Sequence, residues 1–465
     1  MLQPIAPERM PDTDSTSVSE RTVVSETAFS KPTKVRWLVL LLISLMYMIT
    51  YMDRTGISIA APAMQKDFGL SPTAMGIVFS VFLWAYAIGQ VPGGSLADRF
   101  GPRLILLLIV PFWSVMTGLT AVAFGAASLI SIRFVFGLAE SAAFPTATRA
   151  MQLWFPKAER GIVHGVTHSF SRLAVAIVPF VAVNIMVAFG WRWIFYIFGA
   201  AGLLWSLAFY LLYRNLPEQH PGINRSELIH IRGCNPDGTI KPVDLHRLLA
   251  PPWRIIFRSP NMWYIASGYC CFYYGTYFYM TWFPTYLHDY RHLSLKAVGT
   301  LASLPLLAGM IGDIVGGTLT DAVYKKTGKL RFARRIVAAP AMLASGICLI
   351  PAALTHSSWT AILCLTASLF FLELVISPAW AVPMDVGGEY SGTVSGVMNM
   401  AGSLAASLSP IIFGFLVQRG FWVTPFFISA GVLLAGALMW AFFIDPEQSV
   451  VEGVAPALLN PVGMV

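Results

Sequence analysis

The sequence predicts an all-α membrane protein whose twelve transmembrane helices form two six-helix bundles related by an internal repeat. Composition is the first observation behind this. Of 465 residues, 56% are hydrophobic and only 12% charged, and mean hydropathy is +0.66, against about 25% charged in a soluble domain. A water-soluble globular enzyme is excluded on those values. The second is a series of twelve apolar stretches of about 20 residues, the length that crosses a bilayer. The third is the placement of Lys and Arg, which recur between the stretches and not on one face or in one basic tail. The net charge of +8 therefore reads as topology and not as a nucleic-acid surface.

In chain order, residues 1–34 are polar, rich in Ser, Thr and Glu, and lack the apolar run of a signal peptide; we read them as a disordered cytoplasmic tail. Spans one to six begin near Arg36, Thr73, Arg103, Ala127, Gly161 and Trp193, and fill an N-terminal bundle over 35–213. A polar linker, 214–259, follows, in which Trp253, Ile256 and Phe257 either lie on the membrane surface or are the run-in to span seven. Spans seven to twelve begin near Asn261, Lys296, Ala333, Trp359, Ser391 and Phe421 and fill a second bundle over 260–445, with a cytoplasmic tail at 446–465. With alternate loops assigned to alternate sides, only Lys66, Arg192, Arg291, Lys296 and Arg419 fall on one side. Arg54, Arg133 and Arg172 lie within spans, and every other Lys and Arg falls on the side of the linker. That side is expected to be the cytoplasm, with both termini there. The five cysteines have no metal-ligand spacing and are expected to pack, not to form disulfides. No cofactor is expected.

The halves repeat. Gly93-Gly94-Ser-Leu96-Ala-Asp98 falls on Gly316-Gly317-Thr-Leu319-Thr-Asp321, at the linker end of spans two and eight. Span five aligns on span eleven without gaps, Gly161, Gly165, Leu173 and Pro179 falling on Gly392, Gly396, Leu404 and Pro410. Two parallel six-span halves with a site at their interface is a transporter architecture.

On these residues the chain resembles the major facilitator superfamily. Gly94-Ser-Leu-Ala-Asp98-Arg99-Phe-Gly101-Pro-Arg103 resembles that family's signature loop between spans two and three, and the resemblance runs over nearly the whole chain after the tail. Tyr51-Met-Asp53-Arg54, Arg133 with Glu140, and Trp380-Ala-Val-Pro-Met-Asp385 resemble the anion:cation symporter branch. The resemblance implies a major facilitator fold and uptake of organic anions such as sugar acids, dicarboxylates or aromatic carboxylates, usually with protons. It also implies a monomer in a bacterial inner membrane. The positions matching Asp53 and Glu140 carry proton coupling in that branch, and those matching Arg54 and Arg133 support coupling and anion binding.

Ionisable groups inside a span cost about 2.5–3.5 kcal/mol on insertion scales, so each is a functional candidate. Here they are Arg54, Arg133 and Arg172 against Asp53, Glu140, Asp313 and Glu373. Arginine keeps its proton, whereas a carboxyl can take one up. Arg133 and Glu140 are two helical turns apart and face the same way. Asp53 and Arg54 are about 100° apart around span one; the stripe Tyr47, Tyr51, Arg54, Ser58 favours Arg54 toward a central cavity, with Asp53 turned to a neighbouring helix and available to pair with Arg133. Protonating Asp53 and Glu140 would leave two arginines uncompensated, ready to take a substrate carboxylate in charge-assisted hydrogen bonds. The competing reading is that these charges are structural pairs fixing helix packing.

Further expected lining residues come from the remaining polar stripes. His168, Ser171 and Arg172 share a face of span five, where sugar-acid members of the branch often carry glutamine. The extra cation would suit a dianion or be neutralised by Glu373. His168 is a packed polar residue or a proton relay, and its counterpart in the repeat is Asn399, a position the branch uses for substrate. Glu373, Ser377 and Trp380 share a face of span ten, Tyr273 one of span seven and Tyr86 one of span two. Span seven has no arginine, unlike the organophosphate antiporters of the superfamily. Asp98, Arg99, Arg103 and Asp321 are expected to gate the cytoplasmic face, Asp98 by accepting from amides at a helix N-terminus or by pairing with Arg103. Asp313, on roughly the face of Asp321, is expected in the same inner network. An anion exchanger and a non-transporting anion receptor are the alternative functions; no nucleophile-base set points to an enzyme.

Overall fold

The computed structural model describes residues 31–70, 72–235, 239–240, 251–294, 297–298 and 301–451. The expected N-terminal tail up to residue 30, the expected start of span eight at Lys296 and the tail beyond 451 lie outside the described residues.

The described chain is helical. Spans one to three are α1 (Val35–Phe68), α2 (Pro72–Phe100) and α3 (Pro102–Thr120). Span four is α4 (Ala126–Ser141) and α5 (Ala143–Trp154); spans five and six are α6 (Arg160–Phe189) and α7 (Arg192–Leu212). The linker contributes α8 (Arg225–Arg232), whose Asn224 side chain accepts from the Glu227 amide as an N-cap, and α9 (Trp253–Arg258). Span seven is α10 (Pro260–Thr281), span eight α11 (Ser303–Thr327) and span nine α12 (Leu330–Leu354). Span ten is α13 (Ser358–Glu373) and α14 (Ile376–Val386); spans eleven and twelve are α15 (Ser391–Gln418) and α16 (Thr424–Leu438).

Among the described residues eleven helical segments are long and apolar enough to cross a membrane. The twelfth passage, α10, has 22 residues, about 33 Å at the helical rise, but six tyrosines lower its hydropathy. Spans four and ten depart from the continuous helices expected. Each breaks in the middle, at Ala142 and at Leu374–Val375. The cause is in the sequence: Pro145 and Pro378 lack an N–H and crowd the carbonyl four residues back, at Ser141 and Leu374. Glu140 and Glu373 each precede their proline by five residues, so both carboxylates sit at the last turn before a break.

The halves meet along two seams, α2 against α15 and α6 against α11. Glycine makes both close. A Cβ on Gly317 would lie 2.5 Å from the Gly161 carbonyl oxygen, and one on Gly94 would strike the Gly392 carbonyl. These are the glycines that the repeat aligns, so each half supplies one member of each crossing. Gly101, at φ 83°, turns α2 into α3 in a single residue; Gly328, at φ 67°, ends α11 and with Lys329 leads into α12. Replacing Gly317 by Val is expected to hold the linker face open. Overpacking of this kind costs about 1–3 kcal/mol, so uptake should fall about tenfold or more while membrane insertion persists and cysteines introduced between the seams at the linker face become more reactive to thiol reagents.

Candidate functional site

The linker face is closed by groups at the ends of the seams. The Asp98 carboxylate accepts from the Gly392 and Thr393 amides at 3.0 and 2.6 Å and from the Thr393 hydroxyl at 2.7 Å, with Arg149 3.8 Å away. In the other seam Asp321 accepts from the Gly161 and Ile162 amides at 3.1 and 2.7 Å and from Arg334 at 3.1 Å. Each aspartate thus crosses between halves to cap the first turn of α15 or α6, where unpaired amides and the helix dipole favour a negative charge. Arg160 donates to the Met384 carbonyl and to Asp385, both at 2.7 Å. Gln152 donates to the Met384 and Gly388 carbonyls and accepts from Ser391.

Two expected gate residues are elsewhere. Arg103 donates to the Tyr210 carbonyl, and its amide to Asn215, fastening α3 to the end of α7 and leaving Asp98 to the helix amides. Arg99 is exposed and lies over Phe100. Sequence reasoning missed Arg149, Arg160 and Arg334, which sit at span ends where a charge reads only as topology, and Gln152, which is uncharged; Asp385 was noted only as the end of the Trp380–Asp385 motif, with no gating role.

Midway along the spans, Arg54 of α1 donates through Nε to both oxygens of Glu140, at 3.1 and 3.2 Å. Its guanidinium is framed by Tyr51, Phe82, Tyr86 and Phe144, with the Tyr86 ring centroid 4.3 Å away. About a fifth of the Arg54 side chain stays exposed, whereas Glu140 is fully buried. Beside them a cavity of about 180 Å³ opens, lined by Arg54, Ser58, Phe79, Phe82 and Arg133 among others. The expected pairing of Asp53 with Arg133 is not formed: among the described residues Arg133 makes no ion pair, lying over Phe82 and Phe136, and its Nε has no hydrogen-bond partner. Asp53 is turned away, near Trp113 and Thr117 of α3, 2% exposed, and neither oxygen is hydrogen-bonded. One residue along a helix is about 100° of rotation, which is why Arg54 and not Asp53 meets span four.

Arg172 of α6 bonds Glu373 of span ten and lies 3.9 Å from Asp313 of α11. All three are buried in the seam. Asp313 therefore belongs to this cluster and not to the inner network around Asp321. Tyr277 and Tyr51 lie within electrostatic reach of both Arg54 and Arg172 and so connect the two charged groups. Below them is an aromatic layer in which Trp380 packs against His164, His168 and Phe144 and donates to the Tyr269 hydroxyl at 2.7 Å. Tyr273 stands over Tyr269. Asn399 reaches Tyr86 at 3.4 Å and Gln90 reaches Ser403 at 3.1 Å, both across the α2–α15 seam. Ser171 is buried with its hydroxyl unpartnered. Ser377, fully buried, donates to the Asp313 carbonyl at 2.8 Å and ties α14 to α11.

A family model described as Major Facilitator Superfamily matches residues 43–410. A probable sulfoacetate transporter of Cupriavidus necator is 40% identical over 418 residues, covering 90% of this chain and 95% of that one. A probable galactarate/D-glucarate transporter of Bacillus subtilis is 34% identical, over 92% of this chain and 96% of its own. The solved structure of the human organic anion transporter MFSD10 superposes with a TM-score of 0.67 at 14% identity, over 87% of this chain and 99% of that chain; at that identity it supports the fold alone.

Proposed function

Because the chain belongs to the Major Facilitator Superfamily, a family of transporters and not of enzymes, we propose that it imports a small organic anion by proton symport, alternating between states open to opposite faces. The single observation that supports this best is the Arg54–Glu140 pair at the edge of an aromatic chamber. A permanent cation, partly exposed, is held by one buried carboxylate. A proton on Glu140 removes the attraction that holds Arg54, and the guanidinium is then free to bind an anionic group of the substrate. Proton and anion binding reinforce each other, and linkage makes the reinforcement reciprocal. Asp53, buried without a hydrogen bond one residue away, is the second coupling carboxyl in this reading.

The linker face is the cytoplasmic one in this reading, as the Lys and Arg placement favours, and the protein resides in a cell's inner membrane. With that face closed by Asp98 and Asp321, the state described is the one that loads from outside. Of the anions in the relatives' names, a short dianion of the sulfoacetate kind is the first to test: the relative is 40% identical, and the site offers two arginines with tyrosines between them.

Reconstitution into liposomes tests the reading. An acid-outside pH gradient should drive accumulation of labelled sulfoacetate above its equilibrium level, and galactarate, glucarate, a hexuronate and an aromatic acid should compete according to fit. Initial uptake should rise as external pH falls, because the proton must be on the carboxyl for the arginine to be released. Uptake driven only by preloaded internal anion, indifferent to the pH gradient, would establish exchange instead. Anion binding with no flux would overturn transport altogether.

A further inference from the structure

We propose that Glu373 and Asp313, gripped by Arg172, form a second proton-carrying site in the opposite half, which loads a second proton when an anionic group takes Arg172. The inference rests on the symport reading and deepens it.

Charge arithmetic is the first support. Two carboxyls and one guanidinium are enclosed together, Glu373 and Asp313 at 0% exposure and Arg172 at 6%. With both carboxyls ionised the cluster carries one uncompensated negative charge away from water, which is costly enough that a proton neutralises it. Hydrogen bonding is the second. Among the described residues, neither Asp313 oxygen has a hydrogen-bond partner, nor has Oε2 of Glu373 or Nε of Arg172. Those atoms leave room for a proton between the two carboxyls.

The repeat supplies the third. The register that carries Asp98 onto Asp321 carries Gln90 onto Asp313, and the register that carries Gly161 onto Gly392 carries Arg172 onto Ser403. Gln90 and Ser403 are hydrogen-bonded in one seam at 3.1 Å, and Asp313 and Arg172 occupy the same places in the other. The same packing is thus achieved with neutral groups, so the charges are not needed to close the seam. Glu373 likewise matches Glu140: each lies five residues before the proline that breaks its span, and each is held by an arginine from another helix.

The other groups facing the cluster neither compensate nor duplicate it. From α6 they are His168 and His164; from α10, Tyr279 and Tyr277; from α1, Tyr51. Arg334 of α12 is committed to Asp321 and Asp385, toward the linker face. In the resting state one proton is shared by the two carboxyls while Arg172 balances the remaining charge. When a substrate anion takes Arg172, the freed carboxylate forms an O–H bond with a proton from the water-filled side, and the enclosed charge stays at zero. Each anionic group bound at an arginine then brings one proton, so a dianion bound at Arg54 and Arg172 brings two.

Infrared difference spectroscopy on the purified, anion-free protein tests the site without relying on transport. Between about pH 6 and 8, where ordinary carboxyls with pKa values near 4 are ionised, wild type should show the C=O stretch of a protonated buried carboxyl. Glu373→Gln and Asp313→Asn should each remove one such band, and Glu140→Gln should leave it. Arg172→Gln should add one protonated carboxyl, a gain that a merely misfolded variant would not produce. In liposomes, either single carboxyl variant keeps one carboxylate beside Arg172 and should leave the proton-to-sulfoacetate ratio unchanged, whereas Glu373→Gln combined with Asp313→Asn should lower it by one. With Asp53 replaced by Asn in every sample, so that its own buried carboxyl adds no band, a band that survives both carboxyl substitutions, or an Arg172→Gln variant with an unchanged proton count, would show the second site to be wrong. If the bands behave as stated but no pH gradient drives uptake, the symport reading fails and the second protonation site stands.

Discussion

Arg54→Gln is expected to reduce proton-driven uptake by about 100-fold or more, with the protein still inserted. The substitution removes the cation that meets the anion, and it leaves Glu140 buried without its partner. Breaking one side of a buried pair costs about 3–5 kcal/mol, and each 1.4 kcal/mol is a factor of ten. Two companions separate the roles. Arg54→Lys keeps the charge but replaces the planar fork with a point charge, so binding should weaken by less than in Arg54→Gln and uptake should be partly retained. The double variant Arg54→Gln with Glu140→Gln removes both charges together, so thermal stability should recover toward wild type while uptake stays lost. Initial uptake rates in liposomes and melting temperatures in detergent check these outcomes. Recovery of uptake in the double variant would mean that the pair is structural and that the anion binds elsewhere.

The second large effect is expected at the linker face. Asp98→Ala removes the acceptor for two helix amides and one hydroxyl, and Asp321→Ala removes the corresponding acceptor in the other seam. Hydrogen bonds to a charged group contribute about 1.5–3 kcal/mol each, without simple additivity. Loss of either aspartate should therefore shift the balance toward the state open at the linker face by about ten- to a hundredfold. The double variant should be trapped there, with uptake near background and anion binding from outside weakened. Because the aspartates act by closing the protein in one state, binding of anion from the linker side should persist. Cysteine accessibility on the two faces reads the shift directly. Unchanged accessibility would assign Asp98 and Asp321 to helix capping alone.

Much of the architecture was legible before any contact was known. Hydropathy located the passages, and α10, diluted by its tyrosines, was still counted among the twelve apolar stretches. The repeat placed Asp98 and Asp321 in equivalent positions, and the charge of Asp98 in the signature loop offered either helix-terminal amides or Arg103 as its partner, of which the amides are the ones observed. The breaks in spans four and ten were also written in the sequence, in the shared distance from Glu140 to Pro145 and from Glu373 to Pro378, but averaging hydropathy over whole spans hides a single proline.

The choice of partners was not legible. Arg54 with Glu140, Arg172 with Glu373 and Asp313, and Arg103 with the end of α7 are contacts between helices far apart in sequence. Helical periodicity fixes only the face on which a side chain stands. Asp53 and Arg54 are neighbours in the chain, and a rotation of about 100° decides which of them meets Glu140; that rotation is set by how α1 packs against its neighbours. The sequence by itself therefore determined the solvent, the number of passages, the twofold repeat and which few charges enter the membrane, because each of these is a property of local composition or of register along one chain. The tertiary structure alone decided which charges compensate one another and which carboxyls remain in excess, because charge balance in a low-dielectric interior depends on distances of a few ångströms between groups that the sequence keeps sixty or more residues apart.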